Sequence, residues 1–209
     1  MNIKSFLMAF VLIAIALIAI PLNAKADSDR TAKMFLSQLI SRAQSYTESA
    51  YLSKEEKRQG LHHIFTKSFE IRRIGKFILG RHWKRATLDQ RQRFLDAFTA
   101  ITVQTYAPMV AKVPISKFTV KRIQSSSKGH LLIHSIVSRK DGPDIKIVWR
   151  IVPYADGIYR ILDVQVEGIS LLVTLRSEYA SFIQRAGGID NLIDALWAKV
   201  AELQKSVKK

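Results

Sequence analysis

Ile145-Lys146-Ile147-Val148-Trp149-Arg150-Ile151-Val152 decides the fold. Its residues alternate with period two, which puts Ile145, Ile147, Trp149 and Ile151 on one face of a β-strand and Lys146, Val148, Arg150 and Val152 on the other. Upstream, Leu131 to Val137 is a nearly continuous apolar run, and Phe118 and Val120 alternate with Lys117, Thr119 and Lys121. Downstream, Ile158, Arg160, Leu162, Val164 and Val166 complete the set. Ser127-Lys128-Gly129, Asp141-Gly142-Pro143 and Asp156-Gly157 lie between these runs and have turn chemistry. Connections this short cannot hold crossover helices, so the second half reads as a four-stranded antiparallel meander.

Outward from the sheet the period becomes 3.6. Ala32, Phe35, Leu36, Leu39, Ile40 and Ala43 form one helical stripe. Ser53-Lys54-Glu55-Glu56 has the capping-box spacing and opens a helix with Leu61, Ile64 and Phe65 inward. A short helix follows through Ile71, Ile74, Phe77 and Ile78, with Gly80 at its C-terminal cap. Thr87-Leu88-Asp89-Gln90 starts a fourth helix, presenting Phe94, Phe98, Ile101, Thr105 and Tyr106 before Pro108 kinks or ends it. Beyond the sheet, a helix through Leu172, Leu175, Tyr179, Phe182 and Ile183 stops at Gly187-Gly188. Asp190 is placed to cap a last one carrying Leu192, Ile193, Leu196, Trp197 and Val200, with a frayed Lys-rich end from Lys205. Helices packed on one face of an antiparallel sheet make an α+β fold.

Lys4, the apolar run from Phe6 to Ile20, Pro21 and Ala24-Lys25-Ala26 read as a secretory signal peptide over residues 1–26, cleaved before Asp27; an uncleaved anchor is the competing reading. Residues 27–209 then form one exported domain. Cysteine is absent, which excludes disulfides, thiol catalysis, thiolate metal sites and a lipoprotein anchor. The 209-residue chain has a net charge of +16, or +14 without Lys4 and Lys25. From Lys54 to Arg93, twelve Lys or Arg face four acids, a basic face that either keeps the protein soluble or meets an anionic membrane, acidic partner or polyanion.

Catalytic signatures are lacking: no phosphate loop, dinucleotide fingerprint or Gly-x-Ser-x-Gly occurs. His62 and His63 project about 100° apart on a helix, and His130 and His134 stand roughly 13 Å apart along a strand, so neither pair holds one metal. An acid/base pair of Asp163 with His134 is the one enzyme-like arrangement; an Asp163–Arg176 ion pair is the structural alternative. Phe65, Phe77, Phe94, Phe98 and Tyr106 lie on inward faces and do not interleave with the basic residues, which argues against nucleic-acid stacking.

Leu79-Gly80-Arg81-His82-Trp83, Thr87 to Phe94, Thr105-Tyr106-Ala107, Val164 to Ser170, Arg176-Ser177 and Gly187 to Ile193 together resemble the MlaC-type periplasmic phospholipid-binding proteins, the toluene-tolerance auxiliary family. The chain departs from the family's pattern at Leu175, where an aromatic is frequent, and at Gly157-Ile158, where Gly-Trp is. The resemblance implies a monomeric, non-enzymatic carrier without a cofactor. It shuttles phospholipid between an outer-membrane lipoprotein complex and an inner-membrane ABC transporter bearing an MCE-domain ring. A hopanoid or other apolar lipid is the alternative cargo, and a small exported cavity enzyme is the alternative from another class. On this reading an apolar cavity between sheet and helices is lined by Phe69, Ile74, Phe77, Trp83, Phe98, Tyr106, Ile147, Trp149, Val164 and Val166. Arg81, Lys84 and Arg85 stand at a head-group or partner rim. An aromatic-lined cavity and a filled core have the same sequence pattern, so ordinary core is the competing reading for each lining residue.

Overall fold

A computed structural model describes residues 21–112 and 115–207. Within them lie seven α-helices: α1 (Pro21–Glu48), α2 (Lys54–Ser68), α3 (Ile71–Leu79), α4 (Arg81–Arg85), α5 (Leu88–Lys112), α6 (Leu171–Ala186) and α7 (Ile189–Val207). Five strands pair antiparallel in sequence order: β1 (Ile115–Ser125), β2 (Leu131–Arg139), β3 (Ile145–Pro153), β4 (Tyr159–Val166) and β5 (Ile169–Ser170). The expected meander is present, with one short strand added. β5 exists because Glu167 and Gly168 both take positive φ, 49° and 83°, forming a tight reversal that sets Ile169 opposite Val166. The proposed cleavage point between Ala26 and Asp27 falls within α1, and most of the leader lies outside the described residues.

The caps behave as their spacing dictates. Ser53 Oγ accepts from the Glu56 amide at 3.2 Å while the Ser53 amide donates to Glu56 Oε2 at 2.8 Å. Thr87 and Gln90 make the same reciprocal pair at 3.1 and 3.0 Å. Each pair satisfies two amides that a helix start leaves orphaned. Two expectations change and one alternative closes. The run after Gly80 is a separate helix, α4, so five of the described helices precede the sheet. Pro108 does not end α5, which continues to Lys112. Asp190 does not cap α7: it sits in the first turn, where its carboxylate accepts from Gln90 Nε2 at 2.7 Å and Arg93 at 2.9 Å, tying α7 to α5. At its other end α7 runs on through Lys205 to Val207.

Two apolar clusters hold the fold. The first belongs to α3–α7 and packs Ile74, Ile78, Trp83, Phe94, Phe98, Ile183, Leu192 and Ile193 among others. The second joins the sheet to α1 through Leu131, Ile133, Trp149, Ile151, Tyr159 and Ile161 against Ala32, Leu36 and Leu39. Tyr159 fastens the start of α1 to the sheet, its hydroxyl lying 2.6 Å from Thr31 Oγ1 and donating to the Ser28 carbonyl at 3.2 Å. Phe69, at the end of α2, packs against both clusters and pairs its backbone with Ile161 of β4. None of the described helices is long and apolar enough to cross a membrane.

Candidate functional site

Cross-strand register builds one wall of the site. Val120, Ser135, Ile147 and Val166 stand side by side across β1 to β4, and the next row is Ile123, Ile133, Trp149 and Val164. Because side chains alternate across a pleated strand, both rows point to the same face. Ser135 is the polar exception, and it is buried. Its hydroxyl donates to the Ile147 carbonyl at 3.2 Å and accepts from Trp149 Nε1 at 2.9 Å, so the indole is held in the wall with its N–H satisfied.

Burial changes along this face. At the end carrying Leu131, Ile151 and Ile161, the sheet is closed over by α1. Toward the opposite end, Phe118, Val120, Ile147, Val164 and Val166 remain half-buried. The second cluster also takes in Phe35 and Ile40 of α1, Ile64 of α2 and Phe69, and these are half-buried as well. Apolar residues on both sides thus keep surface that their neighbours do not cover. A cleft able to accept hydrocarbon needs such surface on its two walls.

Of the ten anticipated lining residues, Ile147, Trp149, Val164 and Val166 form the sheet wall and Phe69 borders it. Ile74, Trp83 and Phe98 are nearly inaccessible and belong to the helical cluster, away from the sheet wall, in which Trp149 is as deeply buried. Rings link that core to the cleft: Phe98 lies 6.3 Å from Phe65, which lies 4.7 Å from Phe69. Phe77 is corrected as well. It is 37% exposed on the outer side of α3, with the Arg176 guanidinium 4.7 Å from its ring centroid. Tyr106 is half-buried near Glu178 and Tyr179 of α6, and burial first, then the Glu178 charge, raises its pKa. The sequence stripes contained Phe35, Ile40, Ile64, Phe118 and Val120, but the reading above did not assign them to the site.

Arg81, Lys84 and Arg85 lie exposed on α4, beside the helical core and not on the sheet wall. Arg81 Nε donates to His82 at 3.4 Å; Arg91 donates to the Trp83 carbonyl at 3.0 Å and covers the Trp83 ring at 5.4 Å. These contacts order α4 and do not place its cations at the cleft.

The two roles considered for Asp163 are both replaced. Its carboxylate accepts from Ser170 Oγ at 2.7 Å and from the Leu172 amide at 3.2 Å, so it helps cap α6, whose N-cap Ser170 accepts from the Val173 amide at 3.1 Å. Arg176 lies against Phe77 and close to Gly80, where φ of 52° and the nearby guanidinium leave little room for a side chain. His134 sits 3.0 Å from Gln124 Oε1 and 3.3 Å from Arg122, without contact to Asp163. A separate groove of about 540 Å³ runs between α6 and α7, edged by Glu178 and Arg185 over Tyr179, Phe182 and Leu196.

Comparison with solved structures returns a phospholipid-binding protein from Ralstonia solanacearum, determined in complex with a phospholipid. It has a TM-score of 0.71 and 20% identity, covering 84% of this chain and 97% of that one. The curated proteins contain no match. The MlaC protein family model matches residues 33–198, which spans every helix from α2 to α6, the whole sheet and most of both apolar clusters; the chain belongs to the MlaC family.

Proposed function

We propose that this chain is a carrier that holds phospholipid acyl chains between the sheet wall of Phe118, Val120, Ile147, Trp149, Val164 and Val166 and the opposing Phe35, Ile40, Ile64 and Phe69. The observation that carries this reading is the paired set of half-buried apolar surfaces, one on the sheet and one on α1 and α2. Family membership supports it, as does the likeness in fold to a protein solved with a phospholipid. Each methylene kept from water is worth about 0.8 kcal/mol, so two acyl chains cross an aqueous space only inside such a shelter. The half-buried walls suit release as well as capture, because tails that bound far more tightly than in a membrane would never leave.

The chain works as an exported monomer in the periplasm, after removal of residues 1–26. It passes lipid between an outer-membrane lipoprotein complex and an inner-membrane MCE-domain ABC transporter, without a cofactor and without changing its cargo chemically. Its basic surface steers encounters with acidic partner faces.

The test is mass spectrometry of lipid extracted from the purified protein and from Ile147→Asp and Val164→Asp made separately. A carboxylate in either wall row is expected to abolish bound lipid while the fold survives. If both variants fold and retain lipid at the parent stoichiometry, the cleft is not the cargo site. A polycyclic lipid in place of a two-tailed phospholipid would change the cargo class.

A further inference from the structure

We propose that Arg73, His130 and Arg150 form a phosphate-binding site on the side of the sheet that faces away from the cleft. Trp149 and Arg150 are adjacent on β3, so the pleat sends the indole into the cleft wall and the guanidinium to the reverse side. There Arg150 stands between Leu132 of β2 and Asp163 of β4. Asp163, its cross-strand neighbour, directs its carboxylate to Ser170 and Leu172 and makes no ion pair with Arg150 among the described residues. The Nε–H of Arg150 is buried and has no hydrogen-bond partner among the described residues. An unmade bond from a buried guanidinium is costly, and an incoming oxyanion would complete it.

His130 gathers the other groups. Arg73, exposed on α3, lies 3.5 Å from His130 Nε2. Leu132, which faces Arg150 across the strands, is two residues along from His130, so the pleat puts the imidazole on the guanidinium's side of the sheet. Burial first, then the charges of Arg73, Arg150 and Lys128, lower the His130 pKa. Among the described residues, none of these cations has an ion pair. The donors come from α3, from the residue that precedes β2 and from β3. Groups converging from three elements suit a tetrahedral phosphate, whose oxygens point in several directions, better than a flat carboxylate with two. The phosphate is either free in solution or part of a lipid head group at a membrane surface.

The test is an NMR titration of the full chain with inorganic phosphate, following the Arg150 Nε–H and the His130 ring, against sodium chloride at matched ionic strength. Phosphate is expected to give saturable shifts at both and to raise the His130 pKa. Losing one charge-assisted donor should weaken binding about ten-fold or more in Arg73→Gln and in Arg150→Gln. Arg122→Gln, which alters the neighbouring Arg–His pair, should bind as the parent does. If Arg150→Gln fails to fold, the exposed Arg73→Gln decides alone.

Flotation with phosphatidylglycerol vesicles identifies the source. Vesicle binding that inorganic phosphate competes away and Arg73→Gln removes assigns the lipid head group; phosphate titration without such vesicle binding assigns free phosphate. Shifts no larger than those from chloride, parent-like affinity in the folded variants, or acetate binding as tightly as phosphate would each overturn the site. Co-purified lipid is expected to be unchanged in Arg73→Gln, which separates this site from the cleft.

Discussion

The helical cluster and the sheet cluster are built from similar residues and finished differently. Phe94 in the first has no accessible surface and touches Phe98 and Tyr179 at ring distances of 6.0 and 6.2 Å. Phe118 and Ile147 in the second are only half-buried. Apolar composition is therefore spent in one place on cohesion and in the other on a surface kept available. What separates them is not residue type but whether the opposing wall comes close enough to close the gap.

The comparison breaks most sharply if its two halves respond alike to truncation. Phe94→Ala should cost about 3–5 kcal/mol, read by urea denaturation, because a large ring leaves a site that cannot collapse fully. Phe118→Ala should cost much less and should instead lower the amount of bound lipid. Equal losses of stability would mean that the sheet wall is core too. Asp163→Ala, at the joint between sheet and α6, should cost about 2 kcal/mol by removing a carboxylate that accepts two bonds, with the amount of bound lipid unchanged. Ser135→Ala should cost about 1–2 kcal/mol, since it leaves the Trp149 N–H unpaired in the wall.

The smallest expected effect depends on pH. Burial, and then neighbouring arginines, hold His82, His130 and His134 below their ordinary pKa. A group whose folded pKa is depressed contributes its stability above the unfolded value, near pH 6.5, and loses it as pH falls through the folded one. Denaturation midpoints should therefore drop on acidification below that point. His134→Gln should flatten the sheet's share of that drop, and a midpoint that rises between pH 7 and pH 5 would contradict the assigned surroundings.

Much of the fold was legible because its signals are local. Alternation across Ile145 to Val152 and the boxes at Ser53 and Thr87 depend only on neighbours in sequence, and all appear where expected. The site was legible only in part. Periodicity told that Ile74, Phe98 and Ile147 face inward, but it does not report how near the opposite wall lies, so core and cleft residues read alike. Phe77 sits one residue before the fully buried Ile78, and only the position of Arg176 on another helix shows that it faces out. Asp163 was paired with Arg176 because their charges are opposite. The carboxylate's true partners are set by the reversal at Glu167-Gly168, which brings Ser170 and Leu172 back to it.

The three tryptophans happen to sample the three environments that matter. Trp83 lies in the solid helical core, Trp149 is pinned by Ser135 in the cleft wall, and Trp197 is 44% exposed on α7. The protein thus contains its own optical gauge. Emission from Trp149 should respond when cargo enters or leaves, while Trp83 stays silent and Trp197 answers to an external quencher, so loading can be followed in solution without attaching any dye.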